Sequence, residues 1–92
     1  MKLTVEYKTQ VKTAAGIASE EIELDQPCSL KSLVRHVAEK HGEPLKNILL
    51  DSEGNLQQAI LLFLGDRHLR WDDEVELHQG DTLTIFTPIS GG

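Results

Sequence analysis

The group in this chain best placed for covalent chemistry is an end, not a side chain. The sequence closes on Gly91–Gly92, where a free α-carboxylate is expected. Its reference pKa of ~3.3–3.7 leaves it ionised at neutral pH, so it is a poor electrophile until something activates it. Glycine has no Cβ and permits close approaches and backbone conformations that other residues do not. A tail ending this way can therefore enter a narrow site. Residues 87–92, extended at ~3.3–3.6 Å each, reach roughly 20 Å from a folded body. Two terminal glycines arise by chance in ~0.5% of chains, so the dipeptide gains meaning only from the strand that precedes it.

The other reactive groups point elsewhere. Cys28 is the only cysteine, which excludes an intramolecular disulfide and a four-cysteine zinc or iron–sulfur site. It reads as a small residue ahead of a helix, since reactivity would require a lowered pKa. His36, His41, His68 and His78 lack zinc-ligand spacing with further donors and read as solvated or structural. No metal ligand set and no catalytic acid or base is assigned. Nine basic against fifteen acidic residues give a net charge of −6, which repels phosphate backbones and argues against nucleic acid as a partner. A basic protein partner suits this charge, because complementarity raises association rates. The acidic run Asp72-Asp73-Glu74 reads as a solvated loop that could also steer the tail. Trp71 reads as the cover of a core edge, with an interface anchor as the alternative.

Ninety-two residues make one domain with a modest core. Leu3, Val5 and Tyr7 alternate with Thr4, Glu6 and Lys8, and Ile22 and Leu24 alternate with Glu21 and Glu23. These are two half-buried strands joined by a long loop around Thr13 to Gly16. Leu30, Leu33, Val34, Val37 and Ala38 recur at helical spacing, with Ser29 as N-cap and Gly42 as terminator. Pro44 could open a short helix carrying Leu45, Ile48 and Leu49, but residues 43–58 give no firm pattern. Ile60 to Leu64 is a strand apolar on both faces. Gly65-Asp66 turns into a short strand around His68 to Trp71, and Gln79-Gly80-Asp81 turns into a last strand with Leu83 and Ile85 on its core side. The predicted class is α+β: a mixed sheet of four to five strands with one main helix packed across one face. Residues 1–86 form the domain and 87–92 a flexible tail.

If Leu83 and Ile85 face the helix, Phe86 faces away from it. Leu62 and Leu64 are read as sharing that outer side, opposite Leu61 and Phe63. An apolar patch of Phe86, Leu62 and Leu64 is then a candidate partner surface. The charge at Lys2 comes too early for a signal peptide, and the longest apolar run, Ala59 to Leu64, is too short to cross a bilayer. A cytoplasmic protein with no membrane partner is expected.

The order of elements, closing with a strand that runs into Gly-Gly, resembles the β-grasp, ubiquitin-like superfamily. The stretches Ile60-Leu61-Leu62-Phe63-Leu64-Gly65-Asp66 and Gly80-Asp81-Thr82-Leu83-Thr84-Ile85-Phe86-Thr87-Pro88-Ile89-Ser90-Gly91-Gly92 resemble the MoaD/ThiS sulfur carriers, above all the molybdopterin synthase small subunit. The resemblance implies that Gly92 becomes an acyl-adenylate and then a thiocarboxylate. Gly91, Ser90, Ile89 and Pro88 would thread the tail into the activating partner. It implies no bound cofactor, with ATP and Mg used by that partner, a ubiquitin-activating-enzyme-like adenylyltransferase. A persulfide donor and a sulfur-acceptor enzyme, such as the molybdopterin synthase large subunit, complete the set of partners. The chain itself would be a carrier, not an enzyme. Rival readings are a carrier for thiamine or cysteine biosynthesis, a ubiquitin-like modifier conjugated through Gly92, and an interaction module that forms no conjugate.

Overall fold

A computed structural model describes residues 1–88 of the chain. Strand β1, Lys2–Lys8, buries Leu3, Val5 and Tyr7 and turns its polar residues outward, as its alternation requires. The chain then forms a short helix α1, Gln10–Ala15, where the sequence suggests only a loop. The helix has six residues and one buried side chain, Val11, so it offers no repeating stripe from which a helical period could be read. Gly16, with φ of 80°, ends it and returns its N–H to the Lys12 carbonyl. Strand β2, Ser19–Glu23, pairs antiparallel with β1, with Leu3 opposite Ile22.

Strand β3, Cys28–Ser29, is two residues long and leads directly into helix α2, Leu30–His41. The Ser29 hydroxyl accepts the Ser32 N–H at 3.1 Å, which is the expected N-cap. Leu30, Leu33, Val34, Val37 and Ala38 are buried, and Gly42, at φ 68°, closes the helix. Pro44 does precede a short helix α3, Leu45–Leu49, which buries Leu45 and Leu49. The region that follows is ordered by local bonds: Asp51 Oδ1 accepts the N–H groups of Glu53 and Asn55 at 2.9 and 3.0 Å.

Strand β4, Leu61–Leu64, turns through Gly65-Asp66 into β5, Arg67–Leu69. A two-residue strand β6, Glu76–Leu77, pairs with β3 as a small second sheet that the sequence does not announce. Strand β7, Thr82–Phe86, completes a five-stranded sheet in the order β2-β1-β7-β4-β5. It runs parallel to β1 and antiparallel to β4. This is the mixed β-grasp sheet, with α2 supplying five of the buried residues across one face.

Where β2 meets the end of α2, one carboxylate gathers three donors. Glu20, its side chain only 10% exposed, accepts from Lys40 Nζ at 2.7 Å, from the Tyr7 hydroxyl and from His41. Burial alone would push this carboxyl up, but hydrogen bonds from Lys40, Tyr7 and His41 together outweigh it and hold the pKa at about 2. Above the ordinary value of 4.5, the group is ionised in folded and unfolded chains alike, and its bonds stabilise the fold. As pH falls towards 2, the unfolded chain gains a proton that the folded chain refuses, and the stability is lost. Glu20→Gln should cost about 1.5–3 kcal/mol at neutral pH and flatten the acid limb between those two values. Urea unfolding across that range measures both.

Candidate functional site

The site is the place where the chain leaves the sheet. Strand β7 is central, so the backbone emerges between β1 and β4 and not at an edge. Beside the exit, the outer sheet face carries Leu61, Phe63 and Phe86, all half-buried. Phe63 stacks on Phe86 with ring centroids 5.6 Å apart, and on its other side stacks against His68 at 5.1 Å. An open apolar recess runs from this ladder to the exit, lined by Lys8, Thr9, Phe63, Gly65, Thr84 and Phe86.

Phe86 faces away from the helix as expected, but the residues read as its companions do not. Leu62 is fully buried opposite Ile85, and Leu64 pairs with Leu83 and packs against the core. The outer companions are Leu61, opposite Phe86, and Phe63. A run apolar on both sides has no alternation to say which side is inner, and a one-residue slip exchanges the two. A signal did exist in the hairpin. With Gly65-Asp66 as a two-residue loop, Leu62 pairs with Leu69 and Phe63 with His68, and Leu69, the one apolar residue of β5, marks the side of Leu62 as the inner one.

The sequence puts Thr87 in a flexible tail, yet it is buried, at 8% exposure, and tied to Thr9. The Thr9 Oγ1 accepts the Thr87 N–H at 2.9 Å and lies 2.8 Å from Thr87 Oγ1 and 2.9 Å from the Thr87 carbonyl. Thr9 has φ 58° and ψ −137°, making it the sole non-glycine residue at positive φ among the described residues. For a β-branched side chain that conformation is an outlier, of a kind that costs about 1–3 kcal/mol. Nothing in the sequence announces it. Pro88 follows and is exposed. Ile89, Ser90, Gly91 and Gly92, the residues expected to thread and react, lie outside the described residues.

The remaining reactive side chains sit apart from this exit. Burial pushes the Cys28 thiol up, and the Glu76 carboxylate adds to the effect, so the thiolate is disfavoured at neutral pH. Trp71 covers the core edge, donates from Nε1 to Asn55 at 3.3 Å and lies near the cations of Lys31 and Arg35, each 5.6 Å from its ring. In the acidic run, Asp73 accepts the Arg70 N–H at 2.8 Å and so shapes its own turn. Among the described residues no group of His, Cys, Asp or Glu is arranged to hold a metal ion, and no helix is long and apolar enough to cross a membrane.

A sequence model of the ThiS family matches residues 5–92, a span that includes Gly91–Gly92. The chain belongs to the ThiS family. This makes it a member of the ubiquitin-like sulfur carriers and modifiers. Among solved structures, SAMP1 from Haloferax volcanii superposes with a TM-score of 0.84 over all of both chains at 17% identity, a likeness of fold. A putative molybdopterin converting factor subunit 1 from Pyrococcus furiosus gives 0.75 at 25% identity, covering 97% of this chain and 99% of that one. CysO, solved in the Amycolatopsis orientalis BexX/CysO complex, gives 0.71 at 27% identity, covering 98% and 99%. No protein of curated function matches the sequence.

The corrected facing of this ThiS-family sheet is checked by stability. Leu62→Ala should cost about 2–5 kcal/mol, as a fully buried leucine does. Leu61→Ala should cost less than half as much, both measured by equilibrium urea unfolding.

Proposed function

We propose that this chain carries sulfur on the carboxylate of Gly92. A carboxylate oxygen attacks the α-phosphate of Mg-ATP in a ubiquitin-activating-enzyme-like adenylyltransferase, and pyrophosphate leaves. The terminal sulfur of a persulfide donor then displaces AMP. A thiol attacks the donor's sulfur in the resulting acyl disulfide, forms a disulfide with the donor and frees the thiocarboxylate. The chain supplies the reacting group and a surface for docking, while its partners supply the catalytic groups and hold ATP and Mg. The observation that carries this reading is the ThiS family match running through Gly91–Gly92.

The apolar outer face beside the exit supports the docking part. Phe86, Phe63 and Leu61 present aromatic and aliphatic surface next to the point where the chain leaves the sheet. A partner that grips this face has the tail within reach. The net charge of −6 suits a basic rim around the partner's groove.

We assign the sulfur to molybdopterin biosynthesis, with the large subunit of molybdopterin synthase as acceptor. The proline in the tail and the likeness to the Pyrococcus protein, at a TM-score of 0.75 against 0.71 for CysO, support that branch. The 27% identity to CysO makes a cysteine-forming acceptor the second reading.

Intact mass spectrometry tests the carrier role. After incubation with Mg-ATP, the adenylyltransferase and a persulfide donor, the C-terminal peptide should gain the mass of one oxygen-to-sulfur exchange. No gain would refute the role, and conjugates surviving a denaturing gel would make the chain a protein modifier instead. Phe86→Asp and Phe63→Asp should each weaken binding to the adenylyltransferase by about 10–100-fold without unfolding the domain. Titration calorimetry and a melting curve read the two effects separately.

A further inference from the structure

Strands β1 and β7 pair in parallel up to Lys8 and Phe86. At the next pair the backbone of Thr9 turns away into α1, and its hydroxyl takes over as the partner of the Thr87 N–H. This has two local consequences. Thr9 is the N-cap residue of α1, a position where a threonine hydroxyl ordinarily accepts an N–H of the first helical turn. Here it makes no such bond, because the oxygen is engaged by Thr87. The backbone also adopts a positive φ that a β-branched residue rarely takes. Helix capping and relaxed backbone geometry are both given up at one residue; among the described residues its hydroxyl bonds in return the adjacent Lys8 carbonyl, at 2.6 Å, and, across the sheet, Thr87. Strain of this kind persists where the surrounding structure over-determines it, often at functional sites.

We infer that Thr9 is a positioning residue for the carrier reaction: its hydroxyl clasps Thr87 and fixes the direction in which the chain departs at Pro88. The inference rests on the carrier reading given above. The clasp lies at the end of the recess that contains Phe63 and Phe86, so it sets the angle between the docking face and the departing chain. Pro88 extends the effect, because its ring holds φ near −65° and biases Thr87 towards extended backbone. Three consecutive constraints therefore stand between the sheet and the residues beyond: the last ladder pair, the hydroxyl clasp and the proline ring. A partner that binds the sheet face then meets Thr87 and Pro88 already set in one direction.

The geometry offers a substitution that separates positioning from stability. Thr9→Gly removes the hydroxyl but relieves the positive φ, and glycine is accepted at an N-cap, so much of the lost bonding is offset and the domain stays folded. Thr9→Ser keeps the hydroxyl. In the isolated protein, the Thr87 amide should exchange with solvent at least about tenfold faster in Thr9→Gly than in wild type, and Thr9→Ser should restore protection. With the adenylyltransferase and Mg-ATP, adenylation followed by pyrophosphate release should show kcat reduced roughly tenfold for Thr9→Gly, with KM for the carrier unchanged and Thr9→Ser close to wild type. Unchanged Thr87 exchange in Thr9→Gly overturns the clasp, and an unchanged kcat overturns its positioning role. A rise in KM at constant kcat also overturns that role, since Thr9 would then belong to the docking face. Wild-type protein that releases no pyrophosphate, with the Thr87 exchange pattern as expected, overturns the carrier reading and leaves the clasp as a structural device.

Discussion

Thr82–Phe86 forms backbone ladders on both of its edges, with Lys2–Lys8 on one side and Leu61–Leu64 on the other, so the sheet cannot be assembled until the last strand is in place. Pairing a late strand in parallel with the first closes a loop of about the whole chain, which is entropically expensive. Its inner residues, Leu83 and Ile85, are fully buried and offset that expense by joining the common core. Burial on the inside thus fixes what the strand shows on the outside. With side chains alternating, Thr82, Thr84 and Phe86 must face outward once Leu83 and Ile85 face in, and the chain must leave from the middle of the sheet.

The same constraint explains why the outer face is apolar in one corner and polar elsewhere. Around the start of β7, the outward residues are Thr82 and Thr84, and Thr84 donates to Glu6 at 3.1 Å. Towards its end, Phe86 meets Phe63 and Leu61. An ordinary solvated sheet face would continue the polar pattern of Lys2, Thr4, Glu6 and Lys8 across all five strands. The departure is confined to the outer faces of β4 and the end of β7, and there the rings stack on one another and on His68 in place of dispersing among charges. Apolar surface placed this way is half-shielded within the monomer, which limits nonspecific association, yet it remains accessible as a platform.

Much of this is legible in the sequence, and what is not has definite causes. The alternation of Leu3, Val5 and Tyr7, the stripe of α2 with its Ser29 cap and Gly42 stop, and the Gly-Asp turns all specify their local structure through strong, repeated signals. Helix α1 escapes because six residues with one buried position cannot show a period. Strands β3 and β6 escape because two-residue pairings are fixed by what they touch and not by their own residues. The inward placement of Leu62 and Leu64 is hidden for want of polar residues within the run itself, although Leu69, the one apolar residue of β5, holds the missing information across the hairpin. The Glu20 cluster brings together Tyr7, Lys40 and His41 around a residue of a neighbouring strand, and no spacing along the chain encodes such a meeting.

Thr9 belongs to a separate category, because even with α1 in view the capping rule does not describe what it does. A threonine ahead of a helix reads as a cap at negative φ. The fold instead uses it to continue the β1–β7 ladder by one more rung, with a side-chain oxygen standing where a carbonyl would have been. A carbonyl could not have served, since the same backbone must already be turning into α1. Two demands therefore meet at this residue: β1 must end so that α1 can bury its own Val11 in the core, and β7 must stay tethered one residue longer than β1 lasts. A short side chain with a hydroxyl reaches Thr87 from that turn and accepts its N–H, while its single proton is shared among the Lys8 carbonyl and the Thr87 oxygens, all within 2.9 Å. Alanine would leave the Thr87 N–H unpaired while retaining a Cβ at positive φ, so it meets neither demand. The strained backbone is the geometric consequence of ending one strand before its neighbour.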